Sequence, residues 1–263
     1  MHASESLTAR ERAVWQRLDR VTDPELDEPL TDLGFVEAVR VEKETVTVSF
    51  RLPTYWCSPN FAFLMAEGIR REVAVLPWVR TVRVHLEDHM CAEEMNAAVN
   101  DGRSFAEALA LREEGGDLAE VREIFHRKAF QRRQESVLVA LRALGHGPAE
   151  LAAFTLGALD RIRFEDPEAR RQQGRYREIL GERGLAEAPG DPAFPDPDGV
   201  PLTEAGFKER MSALRAVRIN MEFGGALCRG LKQSRYKEVV SVDGEPTLVD
   251  FMLDRVPPRS AAG

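Results

Sequence analysis

The sequence predicts an α+β protein: a small three-stranded α/β domain over residues 1–102, followed by a mainly α-helical domain over residues 103–263. Three observations predict it. Two runs of alternating apolar and polar residues, Phe35 to Val41 and Thr45 to Leu52, are joined by a short polar turn at 42–44. A third alternating run, Val82 to Leu86, follows an amphipathic helical stretch that begins at Pro59. Beyond residue 102 the strand pattern stops and capped helical patterns succeed one another.

In order, Thr8 and Glu11 form a capping box that opens a helix to about Arg20, with Val14, Leu18 and Val21 on one face. DPELDEPLTDLG, Asp23 to Gly34, carries two prolines, a cluster of acids and a closing glycine, and reads as an ordered acidic loop. The hairpin comes next. Ser58 is expected to cap the second helix, with Pro59 at its first position and Phe61, Leu64, Met65 and Ile69 at helical spacing. Pro77 and Trp78 mark a turn into the third strand, and a helix is expected from Met90 to Asn100. Ser104 and Glu107 cap a short helix ended by Gly115 and Gly116, and Asp117 caps a long one stopped by GHGP near residue 145. Single helices are expected from Pro148 to Asp160 and from Pro167 to Leu180. Residues 187–201 form a Pro, Asp and Gly-rich connector, either a linker or a rigid loop. A last helix from Thr203 to Arg235, with a break expected at Gly224 and Gly225, precedes a terminal hairpin turning at Asp243 and Gly244.

This order fixes geometry. The second strand, the helix and the third strand make a βαβ unit, whose strands are parallel with a right-handed crossover. The end of the third strand, with Asp88, His89 and Cys91, must then lie at the same edge as the end of the second, which leads to Cys57. The first strand is antiparallel to the second, so Asp32, Asp23 and Glu25 arrive at that edge too. Cys57 stands just before a helix N-terminus, where unpaired amides and the helix dipole favour a thiolate, the form that binds metal or attacks. A buried structural cysteine is the competing reading. Asp88 has an alternative as a helix cap, and His89 as a solvated side chain.

Composition sets the limits. A chain of 263 residues, 43% hydrophobic and 30% charged, is ordinary for a soluble globular protein. A formal charge of −8 argues against nucleic-acid binding, which needs a dominant basic surface. Three widely spaced cysteines make no disulfide framework, MHASESLTAR lacks the apolar core of a signal peptide, and no run has the length of a membrane span. A cytoplasmic setting without membrane contact is expected. Glu123 and His126 have the Glu-x-x-His spacing of ferritin-like diiron sites, but no second such motif exists, and a surface pair is expected. Cys228, in MEFGGALCRGLKQSRY, lies among small residues and a basic run and is expected to face a metal, a partner or the core. No phosphate loop, dinucleotide fingerprint, nucleophile elbow or zinc-protease motif occurs, so no enzyme is predicted.

The Asp-Pro-Glu at 23–25, the Asp-Leu-Gly at 32–34 and Thr54 with Cys57 ahead of the second helix together resemble the SufT and PaaD family of iron-sulfur maturation domains. The family also includes the targeting subunit of the eukaryotic cytosolic assembly machinery. The resemblance covers about residues 10–100, and the helical remainder departs from a family whose members are mostly that domain alone. It implies an α/β maturation domain acting without turnover, as an adaptor or carrier for iron or an iron-sulfur cluster held transiently. It also implies a client metalloprotein, and long bacterial versions similar to this chain look like accessories of binuclear-iron monooxygenases. One thiolate cannot close an iron or zinc site. The expected ligands are Cys57, His89, Cys91 and Cys228, with Asp23, Glu25, Asp32, Thr54 and Asp88 in support, and the remainder from a second copy or the client. Two rivals stand beside the carrier: an interaction scaffold with a structural Cys57, and a thiol enzyme with His85 or His89 as base.

Overall fold

The computed structural model describes residues 7–108 and 118–236. The chain separates into two compact units, one of Met1–Val121 with Phe223–Gly263 and one of Arg122–Glu222. This division differs from the boundary expected at residue 102, because the last helix returns its final turns to the first unit.

In the first unit the capping box of α1 (Ala9–Leu18) is formed: Thr8 Oγ1 accepts from the Glu11 amide at 3.2 Å, and Glu11 accepts from the Thr8 amide at 2.7 Å. Val14 and Leu18 are buried. The acidic stretch after it is an ordered loop closed by a bridge between Thr22 and Pro29, with Leu26, Leu30 and Leu33 in the core. β1 (Val36–Glu42) and β2 (Thr45–Arg51) form the antiparallel hairpin, turning at Lys43 with φ of 55°. α2 (Pro59–Ala74) then crosses to β3 (Thr81–Glu87), which pairs in parallel with β2, so the sheet order is β1-β2-β3. Val46, Val48 and Phe50 of β2 share one core with Met65, Ile69 and Val73 of α2. Ser58 precedes α2 as expected, but its side chain makes no capping bond.

The outer edge of β3 is covered by side chains. Asn96 of α3 (Ala92–Asp101) accepts from the Leu86 amide at 2.7 Å and donates to the Leu86 carbonyl at 3.0 Å. One turn on, Asn100 does the same for Val84 at 2.8 and 2.9 Å. Two asparagines at i and i+4 thus replace a neighbouring strand and satisfy an edge that would otherwise template aggregation. α4 (Phe105–Ala108) starts at the Ser104–Glu107 box, and Phe105 meets Phe63 edge-on.

The second unit is helical: α5 (Leu118–Ala143), α6 (Pro148–Ala152), α7 (Leu156–Arg161), α8 (Pro167–Glu182) and the first part of α9 (Phe207–Tyr236). The single helix expected from Pro148 is two, because the Thr155 hydroxyl accepts from the Ala158 amide and starts a new one. The 187–201 connector is an ordered loop, not a flexible linker. Asp191 accepts from the amides of Glu187 and Ala188, and Phe194 is buried in a stack on Tyr176 at 5.9 Å. The Tyr176 hydroxyl donates to the Ala193 carbonyl at 2.8 Å, and its complete burial holds it neutral. α9 runs unbroken through Gly224 and Gly225, where a break was expected. The terminal hairpin, the Asp117 cap and the Gly115-Gly116 stop lie outside the described residues.

Replacing Asn96 and Asn100 by Ala should lower stability by about 1–2 kcal/mol each, since each strands an amide and a carbonyl of β3. Chemical denaturation checks it, with the same substitution at exposed Asp101 as the neutral control.

Candidate functional site

Parallel pairing brings the β2–α2 and β3–α3 loops to one edge. Cys57 is half-buried there, just before α2, with its Sγ 3.0 Å from the Thr54 hydroxyl. Buried His89 holds the loop: its Nε2 donates to the Cys57 carbonyl at 2.8 Å, while its Nδ1 accepts from the Cys91 amide at 3.2 Å. These two bonds fix one neutral tautomer. The Met90 amide also donates to the Tyr55 carbonyl at 2.9 Å. Trp56, beside Cys57, is 72% exposed.

The loop from 23 to 28 is held by Asp23, whose Oδ1 accepts from the amides of Glu25 and Leu26 at 2.9 and 3.0 Å. Burial pushes its pKa up to about 6, against the two amides that favour the charge. Against this loop lies the end of α9. A Cβ on Gly224 would stand 3.1 Å from Leu26 Cδ2, and one on Gly225 would stand 3.0 Å from Glu28 Oε1, so a larger residue at either position would make these side chains give way. Arg229 then pairs with Glu28 at 2.6 Å, buried Lys232 with Glu37 at 3.0 Å, and Arg235 with Asp88 at 2.6 Å. Tyr236 donates to Asp88 at 3.0 Å and lies under the Arg51 guanidinium, itself paired with Glu87 across β2 and β3. Glu37 is the extra residue where the β1–β2 register shifts between Val36 and Ala38, a bulge that gives its side chain a new direction.

Cys228 sits within this seam, packed against the same core as Cys57. Burial pushes its thiol up to about 11, and the charges of Asp23, Cys57 and Glu25 add to that. At neutral pH it is a thiol.

The expected ligands therefore divide. Thr54, Cys57 and His89 come together, and the charge of Asp23 reaches Cys228 and disfavours its thiolate. His89, however, is engaged through the Cys57 backbone and not its sulfur, and Cys91 is wholly buried in the core. Among the described residues no three His, Cys, Asp or Glu side chains converge as a metal cluster. Asp32 is exposed on the turn before β1, and Glu25 is exposed on its loop. Asp88 does not cap α3; with φ of 54° it turns the chain and receives Arg235. His85, the other base considered for a thiol enzyme, is exposed and meets Asn96 at 3.4 Å. His126 is exposed, and Glu123 pairs with Arg183 at 2.9 Å, a surface arrangement. Sequence reasoning missed exposed Trp56 and the basic face Arg229, Lys232 and Arg235, although the basic run after Cys228 was its signal.

Residues 11–86, from α1 to the end of β3, match the model of a family described as iron-sulfur cluster assembly protein. No curated protein and no solved structure matches. The match lies in the N-terminal part, where the sequence resembles the SufT and PaaD maturation domains, and α3, the helical unit and α9 lie outside it. Among the described residues no helix is long and apolar enough to cross a membrane.

Glu37→Gln should cost about 3 kcal/mol, because it removes the carboxylate from a buried ammonium. The double variant Glu37→Gln/Lys232→Met should recover most of that in urea unfolding. For Asp23, the folded pKa of about 6 lies above the ordinary carboxyl value of 3.8, so between these pH values the folded state binds more protons. Stability therefore falls as pH rises through that window. Asp23→Asn keeps the accepting oxygen, so unfolding at pH 4 and 7 should show wild type losing about 2–3 kcal/mol relative to the variant on going up in pH.

Proposed function

We propose that this chain is a non-catalytic maturation factor that holds iron or an iron-sulfur cluster transiently at Cys57 and delivers it to a client metalloprotein. The observation that carries this reading is the half-buried Cys57 thiol, set between the Thr54 hydroxyl and the α2 N-terminus in the segment that matches the iron-sulfur assembly family. Cargo fits this donor set better than a resident centre would: soft metals favour thiolate, and among the described residues the side chains leave the coordination sphere open. The client's donors would complete it. Trp56, exposed beside the thiol, is the residue we assign to client contact. His89 and Cys91 position the loop in this reading, and the helical unit grips the client. An oxygenase subunit of a bacterial binuclear-iron system is the client class we favour, in the cytoplasm, with the chain acting as a monomer or homodimer.

The scaffold reading keeps Cys57 as a packing residue. The thiol-enzyme reading lacks support in the geometry, because His89 directs its proton to the Cys57 carbonyl.

Cys57→Ser separates these readings. As a ligand position it should melt like wild type while metal retention after anaerobic purification and client loading are lost. A variant destabilised by about 1 kcal/mol or more that still loads the client fully would leave Cys57 as a core residue.

A further inference from the structure

Lys208, Met211 and Arg215 recur at i, i+3 and i+7 on α9, so they share one helix face over two turns, about 10 Å along the axis. On α5, Glu135, Val139 and Arg142 recur at i, i+4 and i+7 and share a face in the same way. The two faces line one groove of about 330 Å³ within the helical unit, with Arg218 beside Glu135. Four cations and one carboxylate surround it, on a chain whose formal charge is −8. The carboxylate is neutralised from within: buried Glu135 accepts from Arg218 Nε at 3.0 Å. Arg142, Lys208 and Arg215 are exposed, and among the described residues no carboxylate pairs with any of them; Arg142 only lies over the Phe207 ring at 5.9 Å. Other arginines of the unit do find acids, Arg127 with Asp198 and Arg177 with Asp160. Three uncompensated cations along one groove focus a positive field there. Val139, 48% exposed, and Met211 add apolar lining.

We propose that the groove between α5 and α9 binds an acidic peptide segment of the client, with Arg142, Lys208 and Arg215 meeting its carboxylates and Val139 and Met211 meeting an aliphatic side chain. This deepens the proposed function and rests on its client-gripping helical unit. A peptide fits better than a single phosphate group, because Lys208 and Arg215 are spread along two turns and do not converge on one point. Two turns of an acidic helix, or about three extended residues, cover the same span. The sign reverses beyond Glu135: in the adjoining cleft Asp166, Glu168 and Glu222 outnumber Arg132, which confines an acidic segment to the side of Arg142 and Arg215. Charge complementarity of this kind fixes which segment docks and speeds its encounter, and salt weakens it.

The test is fluorescence anisotropy of the full chain with a fluorescein-labelled acidic peptide, EELEELEE, and its glutamine counterpart, QQLQQLQQ. Wild type should bind the acidic peptide alone, and the binding should weaken between about 50 and 300 mM salt. Lys208→Glu/Arg215→Glu should bind at least about tenfold more weakly. Arg161→Glu/Arg170→Glu, the same charge change at exposed positions outside the groove lining, should bind like wild type. No binding of the acidic peptide, or equal loss in the two double variants, overturns the proposal. Tripolyphosphate that binds more tightly than the peptide and displaces it assigns the groove to phosphates and overturns it as well. Carbodiimide coupling on the unmutated chain covers a poorly folded variant: the peptide must join at Lys208, and coupling confined to other lysines is the contrary result. Cys57→Ser should bind the peptide like wild type, and Lys208→Glu/Arg215→Glu should retain metal like wild type, so a failed groove and a failed carrier read out separately.

Discussion

The parallel pairing of β2 with β3 is the constraint from which the site follows. A parallel pair cannot be closed by a tight turn, so α2 must carry the chain back, and both strands then end at one edge. That edge is where His89 reaches the Cys57 carbonyl and Met90 reaches that of Tyr55. Neither bond would exist with β3 reversed. The pairing also leaves β3 with one unpaired side, which Asn96 and Asn100 satisfy from α3, so the helix that follows Cys91 is fixed by the same strand that places His89.

A second constraint comes from α9, and its parts differ in energetic weight. Arg229 and Arg235 are partly exposed, and such pairs contribute about 1 kcal/mol or less each. Lys232 is different, because its ammonium is buried and Glu37 neutralises it. A buried pair of this kind contributes little net stability against an apolar substitute, but a helix slipped by one residue would leave the charge uncompensated. The seam therefore specifies register more than it stabilises. Gly224 and Gly225 act in the same direction, since they let the helix backbone come close to the side chains of Leu26 and Glu28.

Much of this was legible in the sequence where the signal is local. The Thr8 box, the Val46-Val48-Phe50 alternation and the helix start at Pro167 each depend on residues a few positions apart, and each appears where expected. Strand direction was legible too, because it follows from connection length. The failures share one cause, long-range packing. Gly224 and Gly225 looked like a helix break because their partners, Leu26 and Glu28, are some two hundred positions away. Asn96 and Asn100 looked like ordinary helix residues because only the approach of β3 gives their amides a role. At the site, Cys57 was readable from its place before a helix and Thr54 from the family resemblance, whereas the engagement of both His89 nitrogens and the burial of Cys91 depend on how two loops meet.

The openness of the donor set bears on what a carrier must do. A closed four-ligand site binds zinc with an apparent free energy of about 10–16 kcal/mol, which suits a structural centre and opposes release. A cargo protein needs less than that, and needs a route by which an incoming ligand can join before an outgoing one leaves. On the carrier reading of Cys57, one thiol on a loop pinned by His89, with the other coordination positions left to client donors, would meet both requirements.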